Sequence, residues 1–344
     1  MLDTDGAQQL PRLDDDHAGR PGEALSALLG VLDLAAEGLD DRGQDQFSGA
    51  SLPQPHGRVF GGQVLAQSVV AASRTIADAT ALEGADDDAL AGPESRPLHS
   101  LHGYFLRPGD SSAPITFAVE RLRDGRSFSA RRVHALQGGR PILSMIASFQ
   151  VPADGREHQD PAPVVPGPDD VPGTEQMLGT EAAPPTWRAP DGDVAATDGG
   201  RGADLLTWAR TWAAQRPVEV RHVPVADLPP GEEQVVWLRA RGDLPDDPVL
   251  HRALLAFASD DSLLEPVMSR QGLTWATRGI RVASLDHAMW WHRPARADEW
   301  LLYRQRSPSG SSDRGLATGS IFRRDGALVA TVAQEGMVRA PRPS

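Results

Sequence analysis

VASLDHAMWWHRP, residues 282–294, carries the densest information in this chain. Under the period of two that a strand imposes, Val282, Ser284, Asp286, Ala288 and Trp290 share one face, and Ala283, Leu285, His287 and Met289 the other. A hydroxyl therefore stands within an otherwise packable strand. Two flanking stretches also draw a polar group inward. In FASDDSLLEP (257–266), helical spacing gives Asp260 the companions Ala256, Phe257, Leu263 and Leu264, which aims its carboxylate at apolar surface. In VATVAQEGMVR (329–339), Gln334 shares a strand face with Leu328, Ala330 and Val332, where an unpaired amide would cost roughly 1–3 kcal/mol.

The same pattern recurs earlier in the chain. SLDHAMWWHRP (284–294) matches LHSLHGYFLRP (98–108) at a separation of 186 residues, and each is followed by a charged turn and further strand-like runs. In the first half, RVFGGQVLAQSVVAASRTI places Gly61 and Gly62 before Val64, Leu65, Ser68, Val69 and Ala72 at helical spacing, which predicts a buried helix. Runs divided at RPGD, RDGRS and QGGRP then predict an antiparallel meander. ALSALLGVLDLAAEGL reads as a helix followed by a strand, and FSGASLPQPHG (47–57) as a loop through its Gly and Pro content. In the second half, ADLLTWARTWAAQ (203–215) reads as a short helix and PVEVRHVPV and QVVWLRARG as strands. Asp247 and Pro248 then stand where an N-cap and the first position of a second buried helix belong. The predicted class is α+β, with two antiparallel sheets, each wrapped around a central helix, pairing edge to edge into one sheet. The expected organisation is a disordered tail over 1–22, a first domain over 23–151, a linker over 152–202 rich in Pro, Gly and Asp, and a second domain over 203–340. An acidic insertion at 77–95 is expected at the surface.

Composition narrows the chemistry. At 344 residues the chain can bury one large core or two modest ones, and two domains with a linker fit that length. The absence of cysteine excludes disulfides, thiolate metal sites and a cysteine nucleophile, and no lysine is present for Schiff-base chemistry or a Walker-type phosphate site. No metal-ligand spacing appears among the ten histidines, so neither a metal nor another cofactor is expected. A net charge of −13 disfavours nucleic acid and anionic membranes as partners. No run approaches the roughly 18 apolar residues of a membrane span, and the acidic N-terminus lacks a signal-peptide core, so a cytoplasmic protein is expected.

FASDDSLL, VASLDHAMWWHRP and TVAQEGMVR, together with RVFGGQVLAQ (58–67) and SLHGYFLRPGD (100–110), closely resemble the type II acyl-CoA thioesterases. The resemblance runs from about residue 28 to residue 339, apart from the linker near 152–200. It implies a double hotdog fold and a place in fatty acid metabolism. It also implies hydrolysis of acyl-CoA by a water held between a helix aspartate, a strand threonine or serine, and a glutamine on the last strand. Those positions carry Asp260, Ser284 and Gln334, serine here keeping the hydroxyl and losing a methyl. The family commonly dimerises, so a homodimer or higher homo-oligomer is expected.

Each residue also has an ordinary reading. Ser262-Leu-Leu-Glu265 forms a capping-box pattern, so the helix could break there with Asp260 merely at a cap. Ser284 could be bonded to a neighbour and Gln334 be a satisfied sheet amide. The turn at Gly61, Gly62 and Gln63 offers backbone N–H groups at a helix start for substrate binding, as donors to a developing oxyanion, or else the glycines serve close packing. Arg121, Arg123, Arg126, Arg131, Arg132, Arg278 and Arg281 are candidates for the CoA nucleotide. A serine-nucleophile hydrolase lacks its G-x-S-x-G elbow. A hotdog enoyl-CoA hydratase would need Asp286 and His287 to act together, which their alternation opposes, so a structural role is expected for His287. A non-catalytic acyl-CoA binding protein is the third possibility.

Overall fold

In a computed structural model of the chain, residues 22–54, 57–77, 95–177, 183–187 and 216–340 are described. The expected tail (1–22, apart from Gly22), nearly all of the acidic insertion and the expected helix at 203–215 lie outside them. Two helices of almost wholly apolar or small composition form the centre. α1 (Glu23–Leu32) packs on α2 (Gly61–Ala77), whose residues Gly62 to Ser73 are continuously buried, as a helix lacking a polar face requires. α3 (Pro248–Ser259) starts as predicted: Asp247 accepts from the Val249 N–H at 2.8 Å, and Pro248 opens the helix.

Around these helices run β1 (Ala35–Leu39), β2 (Asp45–Gly49), β3 (Leu98–Phe105), β4 (Ile115–Asp124), β5 (Phe128–Gln137) and β6 (Arg140–Gln150) in the first half. The second half contributes β7 (Val218–His222), β8 (Gln234–Ala240), β9 (Arg281–Ser284), β10 (Asp286–Trp291), β11 (Leu301–Ser311), β12 (Arg314–Arg323) and β13 (Leu328–Arg339). They form one sheet in the order β1-β2-β4-β5-β6-β3-β10-β13-β12-β11-β8-β7, with β9 pairing β13. Every pairing is antiparallel, and the halves meet at β3 and β10, where Ala288 pairs with His102. Those two residues are 186 apart, the same separation as the sequence repeat, so the approximate two-fold axis passes through this pair. A single apolar cluster joins α1, α2 and α3 to strands of both halves. This is the double hotdog that the resemblance implied. Among the described residues, no helix is long and apolar enough to cross a membrane.

One local expectation changes. Asp45–Gly49, read largely as loop, is a strand between β1 and β4 with Phe47 buried against Phe117. Its glycine serves close approach rather than a turn, since a Cβ on Gly49 would come within 2.6 Å of Leu34 and 2.8 Å of Gln67. The described part of the expected linker just after residue 151 lies along the second half, where Val171 joins Val223, Val235, Trp237, Trp300, Leu302 and Phe322 in a separate apolar cluster. Trp237 Nε1 donates to Pro166 O at 2.9 Å, so this Pro-rich stretch borrows its core from the sheet it crosses.

Candidate active site

Asp260, Ser284 and Gln334 come from the end of α3, the end of β9 and the middle of β13, and they meet. Gln334 Nε2 donates to Asp260 Oδ1 at 2.6 Å and to Ser284 Oγ at 2.5 Å, and Ser284 Oγ donates to Asp260 Oδ1 at 3.3 Å. Gln334 is fully buried, as its strand face predicts, while Asp260 and Ser284 are part-buried. The backbone N–H of Gly62 also donates to the Asp260 carboxylate. Burial outweighs these three hydrogen bonds and pushes the Asp260 carboxyl up to about 6. The arrangement is a carboxylate whose basicity lies near neutral pH, with a hydroxyl and an amide fixed beside it.

The ordinary reading of Asp260 is also correct in part: α3 ends at Ser259, and Asp260 is its C-cap. The capping box is not formed. The next helix, α4 (Glu265–Arg270), has Leu264 at its N-cap with no side-chain hydrogen bond. Glu265 instead turns inward and accepts from Trp187 Nε1 (2.8 Å), Trp275 Nε1 (3.3 Å), His222 Nε2 (3.1 Å) and Gln234 Nε2 (3.0 Å). Burial alone would raise this carboxyl, but its donors hold it below the usual carboxylate range. Those donors are remote in sequence, so no local signal announced this cluster.

The first half supplies the opposite wall. A Cβ on Gly61 would lie 2.7 Å from Asp260 Oδ2 and 3.0 Å from the Phe105 ring, and one on Gly62 would lie 2.5 Å from Phe257 O and from the Phe60 ring. The glycines therefore admit the close approach of α2 to the end of α3. The backbone amides expected to be free are engaged: Gly62 N–H faces Asp260, and Gln63 N–H donates to Phe60 O at 3.1 Å. The Gln63 side chain accepts from the Leu52 N–H at 2.9 Å and donates to Gln67 at 3.1 Å.

Strict alternation through 282–290 fails at Leu285. From Ser284 to Ala288 the chain takes four steps while its partner takes three, from Gly336 to Ala333, so one strand carries an extra residue. The phase flips there, and Ser284 and His287 both face the helices. His287 is fully buried, with Nε2 3.0 Å from Ser259 Oγ, and burial pulls its pKa down to about 4. Asp286 points away and accepts from the Glu335 N–H at 2.7 Å, so it forms no pair with His287. Among the candidate arginines, Arg131 is fully buried, Arg121 is paired with Asp45 and Arg132 with Glu120, each at 2.9 Å. Arg278 and Arg281 are exposed.

Known proteins share both the sequence and the architecture. The family described as acyl-CoA thioesterase matches residues 209–337, and the acyl-CoA thioesterase N-terminal domain matches residues 51–150. Acyl-CoA thioesterase 2 of Haemophilus influenzae is 36% identical over 92% of this chain and 98% of its own length. Acyl-coenzyme A thioesterase 8 of Homo sapiens is 34% identical over 94% of this chain and 92% of its own. The crystal structure of an acyl-CoA thioesterase II from Mycobacterium marinum superposes with a TM-score of 0.66 at 38% identity, covering 92% of this chain and 99% of that one. Two family matches in order, and relatives aligned over nearly their whole length, place the chain in the type II acyl-CoA thioesterase family.

Proposed function

We propose that the protein hydrolyses fatty acyl-CoA to free fatty acid and CoA, using a water activated by Asp260, Ser284 and Gln334 and forming no acyl-enzyme. The observation that supports this most is the convergence of an acid, an alcohol and an amide from three elements within 2.5–3.3 Å. A water held there attacks the thioester carbonyl carbon as one of its protons passes to Asp260. The tetrahedral oxyanion then collapses, the C–S bond breaks, and the departing thiolate takes the proton from Asp260. A carboxyl near 6 is mostly ionised at pH 7 and is a stronger base than an ordinary aspartate. Ser284 and Gln334 orient the water, Gln334 by holding in place the carboxylate and the hydroxyl that the water meets, and the start of α2 beside the carboxylate favours negative charge developing nearby. In this reading Gly62 positions the base and Gln63 shapes the wall, with no direct substrate contact required of either.

Ser284 is not the nucleophile in this scheme, because it lies against Asp260 and Gln334 while His287 is committed to Ser259. Asp260→Asn should lower kcat for thiol release by at least about 100-fold while the fold survives. Turnover close to wild type would remove Asp260 from the mechanism. Loss of the enone absorbance of crotonyl-CoA without thiol release would favour a hydratase. Acyl-CoA-dependent thermal stabilisation without turnover would favour a binding protein. The same reading includes a homo-oligomer and the division into domains over 23–151 and 203–340. Tyr104 and Ile146, 62% and 45% exposed on neighbouring strands of the outer sheet face, suit a subunit contact, which light scattering checks.

A further inference from the structure

The buried wall behind the three site residues holds a pair of polar atoms that their other contacts leave unexplained. Gln334 spends its Nε2 on Asp260 and Ser284, which turns Oε1 away from the site. That Oε1 is buried without another partner, and so is Nδ1 of His287. The two residues flank the paired Ala288 and Ala333 on the helix-facing side of β10 and β13, which brings their side chains close enough to interact. His287 is fully enclosed, and on its far side Nε2 lies 3.0 Å from Ser259 Oγ, at the last residue of α3 and next to Asp260 in the chain.

Proton counting orders this chain of contacts. Ser259 has one hydroxyl proton, and its Oγ lies 3.0 Å from both Ala256 O and His287 Nε2. If the proton goes to Ala256 O, the imidazole must donate through Nε2, and its Nδ1 lone pair then faces the lone pairs of Gln334 Oε1. Two buried acceptors facing each other without a proton between them are costly. If Ser259 donates to Nε2, the neutral imidazole carries its proton on Nδ1 and Gln334 Oε1 is satisfied. The amide is then locked with both N–H bonds toward Asp260 and Ser284, whereas the flipped amide would turn its oxygen onto a carboxylate 2.6 Å away.

Resting on the proposed water-activating role of Asp260, Ser284 and Gln334, we propose that His287 is a positioning residue. In its Nδ1–H form it fixes the orientation of the Gln334 amide, through a relay from Ser259 to His287 to Gln334. It touches neither substrate nor water and acts only through Gln334.

Three measurements test this. Imidazole ¹⁵N NMR of the wild-type protein, with the His287 resonance among the ten histidines assigned by its loss in His287→Asn, should report the Nδ1–H tautomer at pH 7. The Nε2–H tautomer would overturn the proposal. His287→Leu should lower kcat between about 10- and 100-fold with KM nearly unchanged, the penalty of a loosened catalytic group. His287→Asn, whose amide nitrogen can take the place of Nδ1, should recover most of that loss. In a Gln334→Ala background, His287→Leu should add less than a twofold further loss. A full and independent loss there, or a loss confined to KM, would mean that the imidazole only packs. If His287→Leu does not fold, the tautomer and His287→Asn still decide. Wild-type turnover in Asp260→Asn would sink the hydrolytic reading while leaving the NMR result to judge the His287–Gln334 bond separately.

Discussion

The approximate two-fold axis gives the molecule two equivalent places, and they have opposite fates. On β12 and β13, Ala317 pairs with Gln334; at the matching register on β5 and β6, Arg131 pairs with Ala147. The residues 186 earlier than Ser284 and His287 are Leu98 and Leu101, both buried in the core. Where the second half leaves room for an amide, a hydroxyl and a carboxylate, the first half has aliphatic side chains and one long cation. Arg131 is fully enclosed: its Nε donates to Thr75 Oγ1 near the end of α2 at 2.8 Å, and NH2 pairs with Asp124 at 2.8 Å. The same frame thus carries a polar site at one end and a filled one at the other. A reactive carboxyl needs partial burial with few counter-charges, whereas the plug is satisfied by a full set of acceptors.

That contrast ranks the expected effects. Asp260→Asn comes first, with the loss of at least about 100-fold in kcat stated above. Ser284→Ala and Gln334→Ala should each lose activity, and each should add little when combined with Asp260→Asn, because all three residues are proposed to serve one water. Fully multiplicative losses would separate them into independent functions. In the wild type, log kcat/KM should fall with unit slope below a pH of about 6. The sign follows from the base being active only when ionised, and burial places that ionisation above the ordinary aspartate range. A profile flat down to pH 4.5 would contradict it. At the filled end, Arg131→Met should leave kcat unchanged while lowering stability by about 1–3 kcal/mol in urea denaturation. Asp124 is part-exposed and tolerates the loss of its partner better than a fully buried acid would. A large loss of activity with intact folding would instead tie Arg131 to substrate.

What could be read from residues alone was what depends on near neighbours. The start of α3 follows from Asp247 and Pro248, because capping is settled within one turn. Gln334 faces inward because β13 alternates regularly through it. The order of elements emerged from two copies of one pattern, and the choice of Asp260, Ser284 and Gln334 from a family resemblance rather than from spacing. The tertiary structure alone decided the rest. Leu285 reverses the face of every residue after it, since the count of residues between paired positions belongs to two strands and not to one. That reversal is why His287 stands behind Gln334. In sequence Glu265 reads as a capping-box residue and Arg131 as one of several candidates for the CoA nucleotide. They are buried because donors and acceptors from distant segments were brought around them, and a linear pattern contains no term for partners supplied by folding.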